Sequence, residues 1–237
     1  MAQPQHSAVR NRLLKALSAD DFALLQPHLQ PLRTELRQTL IHPKEPITHL
    51  LFPEVGYASV VADVAGNRIE VGLIGREGLV GASPVLPEGG TTPYHEFVQS
   101  PGEMLAIGTA AFRATLDQGP TFRTLMLRYL QTVLIQARQT AYANAAYTMD
   151  VRLARWLLIC QDRLDGDDIP VTHDFLAVML GVQRSGATLA VQSLEGSRLI
   201  KARRGCITVV NREAMVELVN GSYGVSEAEY ARLIEGM

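Results

Sequence analysis

The chain has 237 residues, 47% of them hydrophobic and 19% charged, with a formal net charge of −2; this is the balance of a globular protein, not of a disordered or wholly basic one. Two isolated cysteines, Cys160 and Cys206, are too few for a disulfide framework or a four-thiolate iron–sulfur cluster, and they fit a reducing compartment. No run of about 18 apolar residues occurs and no apolar stretch follows Arg10, Arg12 and Lys15, so neither a membrane span nor a secretory signal is expected, and the expected location is cytoplasmic.

In chain order, residues 7–30 read as helical: Leu13, Leu14, Leu17, Leu24, Leu25 and Leu29 make an apolar face, and Ser18 with Asp20 and Asp21 reads as a cap and acidic first turn. Between about Arg33 and Ile107 the texture changes to short apolar runs split by Pro and Gly. Tyr57–Ala62 and Arg68–Leu73 suit strands joined by a tight turn at Ala65-Gly66-Asn67. Phe97–Gln99 and Met104–Ile107 suit two more, parted by Pro101-Gly102. Short strands at regular spacing predict an all-β roll or barrel over residues 30–108.

A helix of about Thr121–Tyr147 follows, with no Gly or Pro inside it. Two stripes run along it. Met126, Tyr129, Val133, Gln136, Thr140, Ala143 and Tyr147 alternate spacings of three and four, the period of a coiled-coil seam. Leu127, Leu130, Leu134, Ala137 and Ala141 lie beside them. Two stripes call for two partners, so the first is assigned to a second copy of the chain and the second to the β-roll. One wide stripe buried within a single subunit is the alternative. A further helix begins after Met149-Asp150 with Val151, Ala154, Leu157 and Leu158 on one face, and "DRLDGDDIP" reads as a loop.

Thr172 caps the next predicted helix, His173–Leu180, with Leu176, Met179 and Leu180 inward; Gly181 sits where a left-handed residue ends it. Another helix runs over about Gln183–Leu194. Ala187, Ala190, Val191 and Leu194 share its buried face, and Arg184, Ser185, Thr188, Leu189 and Gln192 its outer face. Two short helices about a glycine turn form a helix-turn-helix, whose second helix offers its first residues to a DNA major groove. "RLIKARRGCITVV" then has the shape of a β-hairpin wing. From residue 181 to 212, Arg184, Arg198, Lys201, Arg203, Arg204 and Arg212 stand against Glu195 alone, a local basic patch in an acidic chain.

"HDFLAVMLGVQRSGATLAVQSLEGSRLIKARRGCITVVNREAM" resembles the winged helix-turn-helix of the Crp/Fnr family of bacterial transcription regulators. "VGLIGREGLVG" is similar to the Gly-Glu turn of that family's sensor roll, and "MDVRLARWLL" to its hinge and first DNA-domain helix. The resemblance covers nearly the whole chain. It implies an α+β protein: a β jelly-roll sensor domain related to cyclic-nucleotide-binding domains (1–120), a dimerisation helix (121–148) and a winged helix-turn-helix domain (149–237). The implied partners are double-stranded DNA, a second copy of the chain and RNA polymerase, with no membrane.

By the resemblance, Gln183, Arg184, Ser185, Thr188 and Leu189 read bases, and Thr172, His173, Lys201, Arg203 and Arg204 contact phosphates. Arg184 suits a bidentate bond to guanine. Ser185, Gly186 and Leu189 depart from the best-known members, so the sequence read should differ; Leu189 suits a thymine methyl group. Met126, Tyr129, Val133, Gln136 and Thr140 are the expected dimer seam, and Arg76, Glu77, Gln139 and Thr140 the expected effector pocket. Cyclic-nucleotide binding in the family needs an arginine soon after the Glu turn. No Arg or Lys occurs from Glu77 to Phe112, and a buried phosphate without a cation is costly, so cyclic AMP is not the expected effector.

An enzyme is the competing class, because jelly rolls of the cupin type host metals. His42, His49 and His95 are scattered with no HxH, and no GxSxG, Walker or HExxH motif occurs, so no catalytic residue, metal or cofactor is assigned and the chain is expected not to be an enzyme. The other alternative is a small-ligand-binding jelly-roll module without a DNA role, which would leave the basic wing without a purpose.

Overall fold

A computed structural model describes residues 3–236. They divide into two compact units: residues 1–60, 74–134 and 230–237, and residues 61–73 with 135–229. The boundaries cut across the three-way division of the sequence, because the long helix contributes to both.

The first unit opens on two short helices where one was expected, α1 (Arg12–Lys15) and α2 (Ala19–Leu25). Ser18 interrupts the run and caps α2, its hydroxyl accepting from Asp21 N–H at 3.0 Å. Buried Asn11 caps α1 through Oδ1 and donates from Nδ2 to the carbonyls of Pro53 and Gly78, at 3.1 and 2.9 Å. One side chain thus ties the leading helix to the roll.

The roll starts with three strands that the pattern did not reveal, β1 (Gln30–Arg33), β2 (Thr39–Ile41) and β3 (His49–Pro53). The expected strands follow as β4 (Tyr57–Val64), β5 (Asn67–Ile74), β6 (His95–Ser100) and β7 (Glu103–Gly108). One sheet has the order β1-β7-β3; the other runs β2-β6-β4, and β4 continues into the second unit, where it pairs with β5. The β4–β5 turn holds Ala65 and Gly66 at φ 54° and 84°, the doubly left-handed geometry of a two-residue hairpin loop. Ile41, Leu51, Ala58 and Met104 bring both sheets of the roll into one small core with Ile47 and Val80.

Glu96, on β6, lies within this roll. It is buried, and its Oε2 accepts the Gly81 N–H at 2.8 Å. Burial pushes its pKa up to about 7. Gly81 has φ +71°, and a Cβ there would stand 2.9 Å from Ile41 Cδ1, so only glycine fits at this contact.

Helix α3 (Thr109–Gln118), also unread in the sequence, leads into α4 (Pro120–Ala146). Phe122, Leu125, Met126 and Tyr129 of α4 enter the larger core with Leu13, Leu25, Phe52 and Phe112. The Tyr129 hydroxyl accepts from Leu79 N–H at 2.9 Å and donates to Leu79 C=O at 3.3 Å. Gly78 allows this approach: a Cβ there would lie 2.9 Å from the hydroxyl.

The two α4 stripes take the opposite exposure to the one expected. Met126 and Tyr129 are buried inside their own unit and cannot form a seam between copies. Gln136 and Thr140 line a cavity of the second unit, and of the five expected seam residues only Val133 is exposed. The other stripe is turned outward: Leu127 and Leu134 are 48% and 43% exposed, Ala137 and Ala141 are exposed, and Leu130 is half-buried. The physical reason is chemical matching. The polar members of the first stripe satisfy polar backbone and a polar lining, while the second stripe offers only apolar surface.

The second unit holds the β4–β5 hairpin end, the last turns of α4, and α5 (Met149–Gln161). It continues through β8 (Asp168–Pro170), α6 (His173–Leu180), α7 (Arg184–Gly196), β9 (Ile200–Arg203), β10 (Cys206–Val209), α8 (Arg212–Leu218) and α9 (Val225–Tyr230), the last residue of which belongs to the first unit. Strands β8, β10 and β9 form a sheet in that order, so the expected loop "DRLDGDDIP" ends in a third wing strand. Among the described residues no helix is long and apolar enough to cross a membrane, and no group of three or more His, Cys, Asp or Glu is gathered to hold a metal.

Candidate nucleic-acid interface

The sequence of the second unit dictates how the recognition surface is presented. Thr172 accepts the Phe175 N–H at 3.2 Å and starts α6; Gly181, at φ 64° and ψ 41°, ends it in the left-handed conformation that glycine adopts at least cost. The turn delivers the chain into α7. Ala187, Ala190, Val191 and Leu194 are buried together, and the two alanines let α7 approach α5 and α6 closely.

The opposite face is open. Gln183, Arg184, Ser185 and Leu189 are exposed, with Leu189 at 66%. Gln183 occupies the N-cap position but its side chain makes no capping bond, leaving the first N–H groups of α7 to an outside acceptor such as a phosphate. Thr188 is half-buried, and its hydroxyl meets His173 Nδ1 at 3.1 Å. That contact fixes the two helices of the motif relative to each other.

The charges are more nearly balanced than the sequence count suggests. Arg184 Nε lies 3.1 Å from Asp174 Oδ1, both side chains 70% exposed. Such a pair contributes about 0–1 kcal/mol and yields readily to a competing anion. Arg203 pairs with Asp168 at 3.1 Å and donates to Thr208, whose hydroxyl donates to the same carboxylate; these bonds hold the Asp168 carboxyl below its usual range. Arg212 belongs to a different network, bonding Gln161, Asp162 and Tyr223 at 2.7 Å each, and so braces α5 against α8 instead of joining the basic surface. Lys201 and Arg204 are exposed and make no ion pair among the described residues. The free basic charge is therefore concentrated at the wing. Asp168 and Asp174 were missed as balancing partners because they lie before the counted window; β8 pairing with β10 brings Asp168 opposite Thr208.

Gly186, one residue past Ser185 in α7, is not required by space: a Cβ there would meet only Val182 Cβ, at 4.0 Å. Gly186→Ala is expected to stabilise the chain by about 0.5–1 kcal/mol, the cost of glycine inside a helix. Thermal unfolding of the two proteins checks this, and a lower midpoint for the alanine form would contradict the open space at that position.

The expected effector residues do not assemble as one lining. Arg76 and Glu77 belong to the first unit, where Glu77 Oε1 accepts the Gly75 N–H at 3.1 Å and the Arg76 carbonyl accepts the Arg12 N–H at 2.6 Å. Thr140 lines a cavity of the second unit together with Gln136, and Gln139 is not part of that lining. The first cation after the Glu77 turn is Arg113, whose Nη2 donates to the Gly89 carbonyl at 3.3 Å.

A half-buried small-residue helix pair, an open α7 face and a basic three-stranded wing together define a winged helix-turn-helix of the DNA-binding class. Residues 151–218 match the Crp-like helix-turn-helix domain. The chain is 26% identical over 159 residues to the global nitrogen regulator of Synechococcus elongatus, covering 64% of this chain and 72% of that protein. Its fold is similar to that of a Crp/Fnr-family transcriptional regulator from Eubacterium rectale, at 16% identity and TM-score 0.69 over 88% of this chain and 98% of that one. It is also similar to FixK2 from Bradyrhizobium japonicum, at 13% identity and TM-score 0.68 over 80% and 96% of the two chains. A third similar structure is CLP of Xanthomonas campestris, described as c-di-GMP responsive, at 17% identity and TM-score 0.65 over 81% and 99%. Residues 151–218 thus carry a Crp-like helix-turn-helix domain, and the fold of the chain as a whole is similar to that of Crp/Fnr-family regulators.

Proposed function

We propose that the protein acts in the cytoplasm as a homodimer that reads a two-fold symmetric DNA site through α7, and that it is not an enzyme. The observation that carries this reading is the outward face of α7, where Gln183, Arg184, Ser185 and Leu189 are exposed beside an uncapped helix N-terminus. Arg184 reads guanine once DNA displaces Asp174, and Leu189 contacts a thymine methyl group. Lys201, Arg203 and Arg204, with Thr172 and His173 at the start of α6, position the duplex through phosphates. The copies join along Leu127, Leu130, Leu134, Ala137 and Ala141, whose spacings of three and four suit a helix–helix seam. RNA polymerase is the further partner.

The effector of the roll is a small molecule other than cyclic AMP. The stretch from Glu77 to Phe112 carries no cation, and the next one, Arg113, donates to the Gly89 carbonyl at 3.3 Å.

Selection of bound duplexes from a random DNA library tests the reading. An enriched two-fold symmetric site is the expected result. Arg184→Ala then loses about 1–3 kcal/mol of discrimination at one base pair of each half-site. Arg204→Ala weakens binding to all duplexes alike and reduces the salt slope by about one. Retention of full specificity in the Arg184 variant would overturn the division of roles, and absence of any DNA binding would leave a ligand-binding roll without a DNA role.

A further inference from the structure

The second unit encloses a small cavity, separate from the DNA-facing surface, that the regulator reading does not use. Its volume is about 40 Å³, and it is lined from α4, α5, α6 and β5. That is room for a few atoms within the lining, since a water needs roughly 10–15 Å³ on the same measure.

Two guanidinium groups reach this cavity without a direct ion pair among the described residues, and Glu227 acts on Arg155 through its charge alone. Arg155 is buried; its Nε donates to the Ser222 carbonyl at 2.8 Å and its Nη2 to Thr140 Oγ1 at 3.4 Å. Arg152 is half-buried; its Nε donates to Asn144 Oδ1 at 3.0 Å and its Nη2 to the Leu180 carbonyl at 2.5 Å, closing the end of α6. Neither arginine makes an ion pair or an Nη1 hydrogen bond among the described residues. Burial lowers the pKa of both, the sign of charges held away from water. Glu70 is the one acid of the lining, and its Oε1 accepts the Trp156 indole N–H at 2.6 Å. The lining itself holds two arginines and one acid, with the charge of Glu227 felt at Arg155 from outside it.

The neighbouring polar groups are arranged as donors. Thr140 Oγ1 accepts from Arg155, which leaves its O–H to donate. Asn144 Oδ1 accepts from Arg152, which leaves its amide N–H groups to donate. Gln136 lies in the same lining. Unspent guanidinium donors, a hydroxyl and amides around a space of a few atoms match one small oxyanion, for which charge-assisted and forked contacts are the strongest available.

We infer that the cavity between α4, α5 and α6 binds a single phosphate-sized oxyanion through Arg152 and Arg155. Because the lining joins the last turns of α4 to the first helix of the DNA-binding motif, occupancy favours the arrangement of α6 seen here and raises DNA affinity by linkage. Only this coupling rests on the regulator reading; the binding does not.

The test uses the full chain without DNA and inorganic phosphate as the probe. Calorimetric titration is run against sodium chloride of equal ionic strength. One saturable site per chain is expected. Arg155→Gln is expected to weaken it at least about tenfold, as loss of a charge-assisted hydrogen bond does. Arg204→Gln, on the wing, leaves it unchanged. Should the buried Arg155 variant fail to fold, Thr140→Val and Asn144→Leu remove donors at less buried positions and are expected to weaken phosphate in the same direction. Absence of saturable binding, or binding lost in the wing variant and kept in the cavity variants, overturns the proposal. Duplex binding is then measured with and without phosphate. A protein that binds phosphate but no DNA keeps the site and loses the regulator reading.

Discussion

Leu134→Glu is expected to turn a dimer into a monomer and to abolish binding to a two-fold symmetric duplex. Leu134 is 43% exposed and Leu127 48%, whereas Met126 on the same helix is fully buried. Leu127 and Leu134 lie seven residues apart, two turns along one face, with Leu130 between them and Ala137 one turn beyond. Burying one leucine contributes about 1.5–3 kcal/mol, and a two-fold axis uses each residue twice. Removing both copies therefore costs roughly 3–6 kcal/mol, or about two to four orders of magnitude in the dimer dissociation constant. Placing a carboxylate in each seam adds repulsion. Sedimentation velocity across a concentration series reads the result directly. A dimer that persists unchanged would return the seam to another surface. The substitution is on the outside of its own unit, so the fold of each chain should survive it.

Glu96→Gln is expected to change how stability depends on pH. The carboxyl has a folded pKa of about 7, above its ordinary 4.5, because burial disfavours its charge and one Gly81 N–H only partly offsets that. The neutral form is the one the fold prefers. Its stabilisation is fully present below pH 4.5 and is lost as the pH rises through 7. Between those limits the native protein holds more protons than the unfolded chain, so stability falls with increasing pH. At about 1.4 kcal/mol per unit, the loss is on the order of 3 kcal/mol. Glutamine keeps an acceptor for Gly81 and carries no charge. The variant should therefore be the more stable protein at pH 8 and close to the original at pH 5. Denaturant unfolding at the two pH values measures this, and parallel pH profiles would show that Glu96 is not the titrating group.

The sequence made the DNA-binding half legible because its signals are local. A threonine cap, a left-handed glycine and four small apolar residues in helical register each have one structural meaning, and Thr172, Gly181 and Ala187 to Leu194 occupy those roles. The first strands of the roll were hidden for the opposite reason. Pro31 and Pro53 stand inside β1 and β3, and β2 has only three residues, so no alternation develops. The α4 stripes shared a period, and period alone does not say which stripe meets which partner. The informative residues were the polar ones: a tyrosine hydroxyl, a glutamine and a threonine suit a protein interior that offers hydrogen bonds. The cavity arginines were screened by the apolar helix around them. Arg155 inside the run from Leu153 to Cys160, which is apolar but for that residue, and Arg152 just before it were the available signal.

Tyr230 and Ile234 belong to the core that also contains Leu13 and Phe122, and Arg12 is stacked on the Tyr230 ring and paired with Glu235 at 2.6 Å. The chain thus returns to its starting unit after the reader has been completed. A gene fragment ending at the close of α4 would encode a roll with its own plug missing. Truncation before Tyr230 is consequently expected to loosen the core of the first unit while sparing the wing and α7, although the lost segment follows them in the chain.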